Sequence, residues 1–132
     1  MRDSLSRRVA AEGLGTALLL SAVTGSGIMG DRLSPDETAV ALLANSLATG
    51  AALIALILTC GPVSGAHFNP LVTLTSALKG KSSWGVAWSY LTAQLLGALL
   101  GVMLAHVMFA QPRLLAPSAH IRSGAAQWLS EG

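Results

Sequence analysis

"GPVSGAHFNPLVTLTSAL" (residues 61–78) closes an uncharged run of 41 residues, 38–78, with no Asp, Glu, Lys or Arg. One membrane crossing takes roughly 20 apolar residues, and two with a turn take about 45. The run is too long for one and too short for two, and Gly61, Pro62, Ser64 and Gly65 interrupt it. A helical pattern resumes at Asn69, a residue suited to an N-cap, followed by Pro70 at the first helical position. The stretch "NPLVTLTSAL" (69–78) would measure about 15 Å, half the hydrocarbon thickness. Lys79 and Lys81 then mark a return to water. The segment is predicted to enter, turn near the midplane and leave by the side it came from, as a re-entrant half-helix.

Composition places this segment in a bilayer. Of 132 residues, 52% are hydrophobic and only 11% charged, against about 25% charged in a soluble domain. Three stretches can span: 9–30, 38–60 and 84–110, the first ended by the polar turn "DRLSPDET" (31–38). The first is longer and more polar than a signal-peptide core because it carries Glu12, so it is read as a retained helix. Trp84, Trp88 and Tyr90 gather where the third begins, as expected of rings at headgroup level. The predicted class is an all-α membrane protein with three transmembrane helices and one half-helix. Residues 111–132 form a polar or amphipathic tail, readable as an interfacial helix or as disorder.

A net charge of +2, scattered along the chain, excludes a nucleic-acid footprint. The single cysteine, Cys60, excludes an internal disulfide framework. His67, His106 and His120 have no metal-ligand spacing, so neither metal nor cofactor is expected. Ser64 and His67, three apart, could form a hydrolase dyad, but no nucleophile elbow or orienting third group accompanies them. No enzyme is expected.

Non-helical backbone at membrane depth is tolerated only when buried in protein or lining a water-filled cavity. The loop "GPVSGAHF" (61–68) is such backbone, and the half-helix adds unpaired N–H groups and a positive dipole end. A pore is the natural reading. Glu12 could snorkel to the interface or face protein and water. His67 could line the pore or be a satisfied loop residue. Asn45 and Thr49 form one polar stripe, facing the pore or bonding to a neighbouring helix. Gly97 and Gly101, with Ala93 on the same face, indicate close helix packing, to which Gln94 is also assigned.

"SGAHFNPLVTL" (64–74) resembles the first signature loop of the aquaporin, or major intrinsic protein, family, whose usual form is SGAHxNPAVT. "SYLTAQLLGALLG" (89–101) is similar to the family's third helix, and "AAEGLGTALL" (10–19) to its first. The likeness covers about residues 8–110, one of the two inverted repeats such proteins normally carry. "QWLSEG" (127–132) looks like the opening of a second repeat.

The resemblance implies an aquaporin hemi-fold completed by an inverted second copy, in a bacterial-type inner membrane. Asn69 would donate its amide to solute at the pore midpoint. Glu12 would accept hydrogen bonds from the loop, with Ser64 and Pro70 supporting it, so that carbonyls of Gly65, Ala66 and His67 face the pore. Leu71 stands where the family has alanine. Val72 stands where the second signature loop would place an arginine, so that filter is missing from this chain. The solute implied is small and neutral: water, glycerol-like molecules or metalloid hydroxides.

Three crossings put the ends of the chain on opposite sides, so the partner must be inverted, either the same chain or a separate second-half protein. Arg2, Arg7, Arg8, Lys79 and Lys81 on one side against Arg32, Arg113 and Arg122 on the other give five positives to three. So weak a bias permits both orientations. The expected assembly is an antiparallel pair, four such pores making a tetramer. The alternative is a non-conducting membrane subunit.

Overall fold

The computed structural model describes residues 4–112 and 114. It contains four helices and, among the described residues, no strand: α1 (Leu5–Leu33), α2 (Thr38–Ser64), α3 (Pro70–Leu78) and α4 (Trp84–Met108). Three are long and apolar enough to cross a membrane; α3, with 9 residues, is about 13 Å long and is not. Together they make three helices of spanning length and one half-helix, the arrangement expected from the sequence.

Each start has a physical cause. Ser4 caps α1 by accepting from the Arg7 amide, and Ser83 caps α4 by accepting from Val86. Asn69 Oδ1 accepts from the Leu71 amide at 2.8 Å, with Pro70 behind it at the first helical position.

Helix ends differ from the sequence expectation. α1 runs past Asp31 to Leu33 because its stop is the Ser34–Pro35 pair, not the first charge. Arg32 extends its guanidinium to the Phe109 carbonyl and lies over the Phe109 ring, 5.5 Å from its centroid. α2 continues through Gly61 and Pro62 to Ser64. Pro62 forfeits only the bond to the carbonyl four residues back, and the final turn is held from outside at Ser64. The terminator is Gly65, in the left-handed region at φ 92°, its amide bonded to Gly61 O at 3.0 Å.

α1 is the hub, packing against both α2 and α4, while α3 leans on α4. α1 and α4 meet through their backbones. A Cβ on Gly97 would lie 2.2 Å from Gly13 O, and one on Gly101 2.2 Å from Ala17 O. The Gly97–Gly101 pair therefore occupies the close-packing position expected of it. α2 packs along α1, meets α4 only through the Ser64 carbonyl at its end among the described residues, and stays almost wholly uncovered, with Leu43, Leu47, Ile54 and Leu58 exposed.

Trp84 and Trp88 are exposed at the start of α4, but Tyr90 is 1% exposed, turned inward by its hydroxyl's partners. His106 is not idle: its Nδ1 lies 2.9 Å from Leu114 O, tethering the chain that leaves α4. Arg2 and the tail expectations at Arg113, His120, Arg122 and residues 127–132 fall outside the described residues.

Candidate functional site

The loop between α2 and α3 is built around one carboxylate. Glu12 is 0% exposed. Its Oε1 accepts from Ser64 Oγ at 2.6 Å and the His67 amide at 2.9 Å; its Oε2 accepts from the Phe68 amide at 2.8 Å and Gln94 Nε2 at 2.9 Å. A carboxylate offers about four acceptor sites, and four donors fill them. Glu12 therefore faces the loop and does not snorkel. Two otherwise orphaned backbone amides of the loop are satisfied by α1, 55 and 56 residues earlier in the chain.

The donors leave the loop carbonyls over. Gly65, Ala66 and Phe68 have φ values of 92°, 50° and 46°, a left-handed path that non-glycine residues rarely follow. The Ala66 amide bonds Ser64 Oγ at 3.1 Å. Among the described residues the carbonyls of Gly65, Ala66 and His67 accept no hydrogen bond. Phe68 anchors the path: its ring is 5% exposed and occupies space a Cβ on Gly15 would need.

A second anchor comes from α4. Tyr90 donates its hydroxyl to Ser64 O at 2.8 Å and accepts from Arg8 Nε at 3.0 Å. The Arg8 guanidinium sits 5.6 Å from the ring centroid, and the His67 ring meets Tyr90 edge-on at 5.5 Å. Gln94, one turn further on, bridges Glu12 and Thr73 Oγ1. This corrects its assignment to helix packing: Gln94 supports the loop. Arg8, Phe68, Thr73 and Tyr90 were missed as contributors. The spacing of Tyr90, Gln94, Gly97 and Gly101 on one helical face was the available signal.

Asn45 follows the neighbouring-helix reading and not the pore-lining one. Its Nδ2 donates to Val23 O at 2.8 Å and to Ser26 Oγ at 3.1 Å, so it binds α1 to α2 away from the loop. A chain leaving Gly30 so close to Ala41 brings the two helices within reach of an amide. Thr49 Oγ1, on the same stripe, is buried without a partner among the described residues.

The half-helix carries the open face. An open groove of about 420 Å³ runs along α3, lined by His67, Leu71, Val72, Thr75, Ser76, Lys79 and Lys81. Leu71 is 71% and Val72 48% exposed. Gly65, Asn69 and Pro70 are exposed beside it and Ala66 is half-buried, but none of the four lines it. Asn69 spends Oδ1 on its cap, and its Nδ2 has no partner among the described residues. Ser64 and His67 do not pair: the hydroxyl goes to Glu12 and the imidazole Nδ1 to Thr73 Oγ1, 3.0 Å away.

The family described as "Major intrinsic protein" matches residues 1–129. "Aquaglyceroporin AqpS" of Rhizobium meliloti (strain 1021) is 53% identical over 128 residues, 97% of this chain and 54% of the relative. "Probable aquaporin NIP7-1" of Arabidopsis thaliana is 36% identical over 121 residues, 86% of this chain and 43% of that one. "Aquaporin-2" of Procavia capensis habessinica is 37% identical over 103 residues, 78% of this chain and 90% of its own length. The chain thus spans about half the length of AqpS and less than half of NIP7-1.

Proposed function

We propose, from the premise that this chain belongs to the major intrinsic protein family and is a multi-pass protein of the cell membrane, that it forms a passive channel for water and small neutral solutes. The pore lies between two antiparallel copies, and four such pores associate. The observation that carries this is the uncovered face of the half-helix and its loop. Leu71 and Val72 are exposed, and among the described residues three loop carbonyls and the Asn69 amide have no hydrogen-bond partner. At membrane depth each unpaired polar group costs several kcal/mol. A flipped copy of the same half-helix, meeting it tip to tip, supplies the cover and closes a polar path.

Glycerol-like molecules and metalloid hydroxides are the solutes proposed beside water, since Val72 leaves the path without an arginine filter. Stopped-flow swelling of proteoliposomes holding only this chain tests the reading. Solute and water flux above the lipid baseline supports it. Baseline flux, with cysteine tags at both ends reporting one orientation, sinks it.

The same uncovered face of α3 admits a second reading of the pore. There a separate second-half chain, not a second copy, faces α3. Flux that appears only on co-reconstitution with such a chain selects that arrangement.

A further inference from the structure

Among the described residues, charge is sorted by end. At the loop end, where α1 begins and α3 leaves, stand Arg7, Arg8, Lys79 and Lys81, and the one acid there, Glu12, is buried. At the far end the α1–α2 turn holds Asp31, Asp36 and Glu37, all exposed. Arg32 stands among them but reaches away, to the Phe109 carbonyl and ring beyond α4. Glu37 precedes α2 without capping it. Among the described residues, neither these three carboxylates nor the two lysines have an ion-pair partner. Both lysines line the open groove along α3, the face that a second copy would cover.

Depth brings the two sets together. With its tip at the midplane, α3 carries Lys79 about 15 Å out from Asn69. α1 has 29 residues centred on Leu19, so Asp31 lies about 18 Å out on the opposite side. Inverting one copy about Asn69 brings its acidic turn level with the other copy's lysines, within one helical turn in depth. The match repeats at both mouths, because such a pair is symmetric. A parallel pair instead sets lysine against lysine and carboxylate against carboxylate, and both repel.

We propose that Asp31, Asp36 and Glu37 of one copy pair with Lys79 and Lys81 of an inverted second copy, so that each pore mouth is built from both chains. This rests on the two-copy channel reading above and adds what selects the orientation of the partner. Lipid competes for one end only. An anionic headgroup attracts the lysines but repels the three carboxylates, whereas an inverted copy satisfies both. Exposed pairs of this kind are individually weak and are screened by salt, so their combined effect is set by ionic strength.

The test uses the full chain in detergent micelles, where the bias of membrane insertion plays no part. On a Cys60→Ser background, chains with Lys81→Cys are mixed with chains carrying Asp36→Cys, and the disulfide-linked products are read by mass. The expected product joins position 81 to position 36. Association is then followed by energy transfer between labelled chains. Lys79→Glu/Lys81→Glu alone, and Asp31→Lys/Asp36→Lys/Glu37→Lys alone, should each self-associate roughly tenfold more weakly than wild type at low salt. Mixed with each other they should associate as wild type does, because each end again meets its opposite. All five positions are exposed, and a thermal melt of each variant confirms that it is folded. If a variant does not fold, the wild type still decides: association unchanged between low salt and about 0.5 M overturns the pairing. A mixture no stronger than the separate variants, with the 81-to-36 link still formed, overturns the charge pairing and leaves the antiparallel pair standing. An 81-to-81 link, or wild-type chains that do not associate, removes the pairing together with the two-copy pore.

Discussion

Gly15 and Phe68 share one volume: a Cβ added to the helix glycine would lie 2.1 Å from Cε1 of the loop aromatic. The absence of a side chain on α1 is thus what seats the loop. Phe68 also gives its amide to Glu12, one turn earlier on the same helix, so ring and backbone are fixed to α1 together.

Gly15→Ala is therefore expected to lift the Phe68 ring out of its seat. Overpacking of this kind costs about 1–3 kcal/mol, partly offset by the better helix propensity of alanine, about 1 kcal/mol. The double variant Gly15→Ala/Phe68→Val should cost less than the sum of the singles, because the second change vacates the space. Thermal melts of the four proteins in nanodiscs measure that coupling.

Replacing Glu12 by Gln turns two acceptor oxygens into one oxygen and one NH2 group. Donors from Ser64, His67, Phe68 and Gln94 converge on that position. Each donor left unpaired costs about 1–3 kcal/mol. The expected result is a lowered melting point and loss of solute flux, with faster amide exchange at His67 and Phe68.

Tyr90→Phe removes the donor to Ser64 O and the acceptor for Arg8. A net loss of about 0.5–1.5 kcal/mol per bond is expected. The change should show first as faster exchange at the Gly65 and Ala66 amides, not as global unfolding.

Leu71 is exposed on the open face, so Leu71→Ala should leave the melting of the chain nearly unchanged. If two copies meet there, the same change widens the narrowest point, and glycerol flux rises more than water flux. Unaltered flux would mean that Leu71 does not set the width.

Asn45→Ala should do the reverse. It costs about 0.6–1.7 kcal/mol through the lost α1–α2 hydrogen bonds, while flux per folded protein stays as it was.

The half-helix was legible because its signals are local: a cap, a proline, a length too short to span and two lysines. The Gly97–Gly101 seam was legible for the same reason, as a spacing along one helix. What escaped depends on distance across the fold. Tyr90 looks like an interfacial ring beside Trp84 and Trp88, and only the position of Ser64 O and Arg8 turns it inward. Gln94 looked like packing because its two partners, Glu12 and Thr73, lie 82 and 21 residues away. Asn45 offered two partners of equal chemistry, and helix spacing at Gly30 chose between them. The end of α2 was misplaced because Pro62 signals a break whose cost the Ser64 contacts offset.

α3 rests on α4 and on no earlier helix, and the Glu12 knot closes only when Gln94 arrives. A ribosome releases this chain from its N-terminus, so the stub reaches the translocon before its support has been synthesised. The nascent loop is consequently moored to α1 alone, through Glu12 and the Gly15 seat, until α4 adds the bonds from Tyr90 and Gln94.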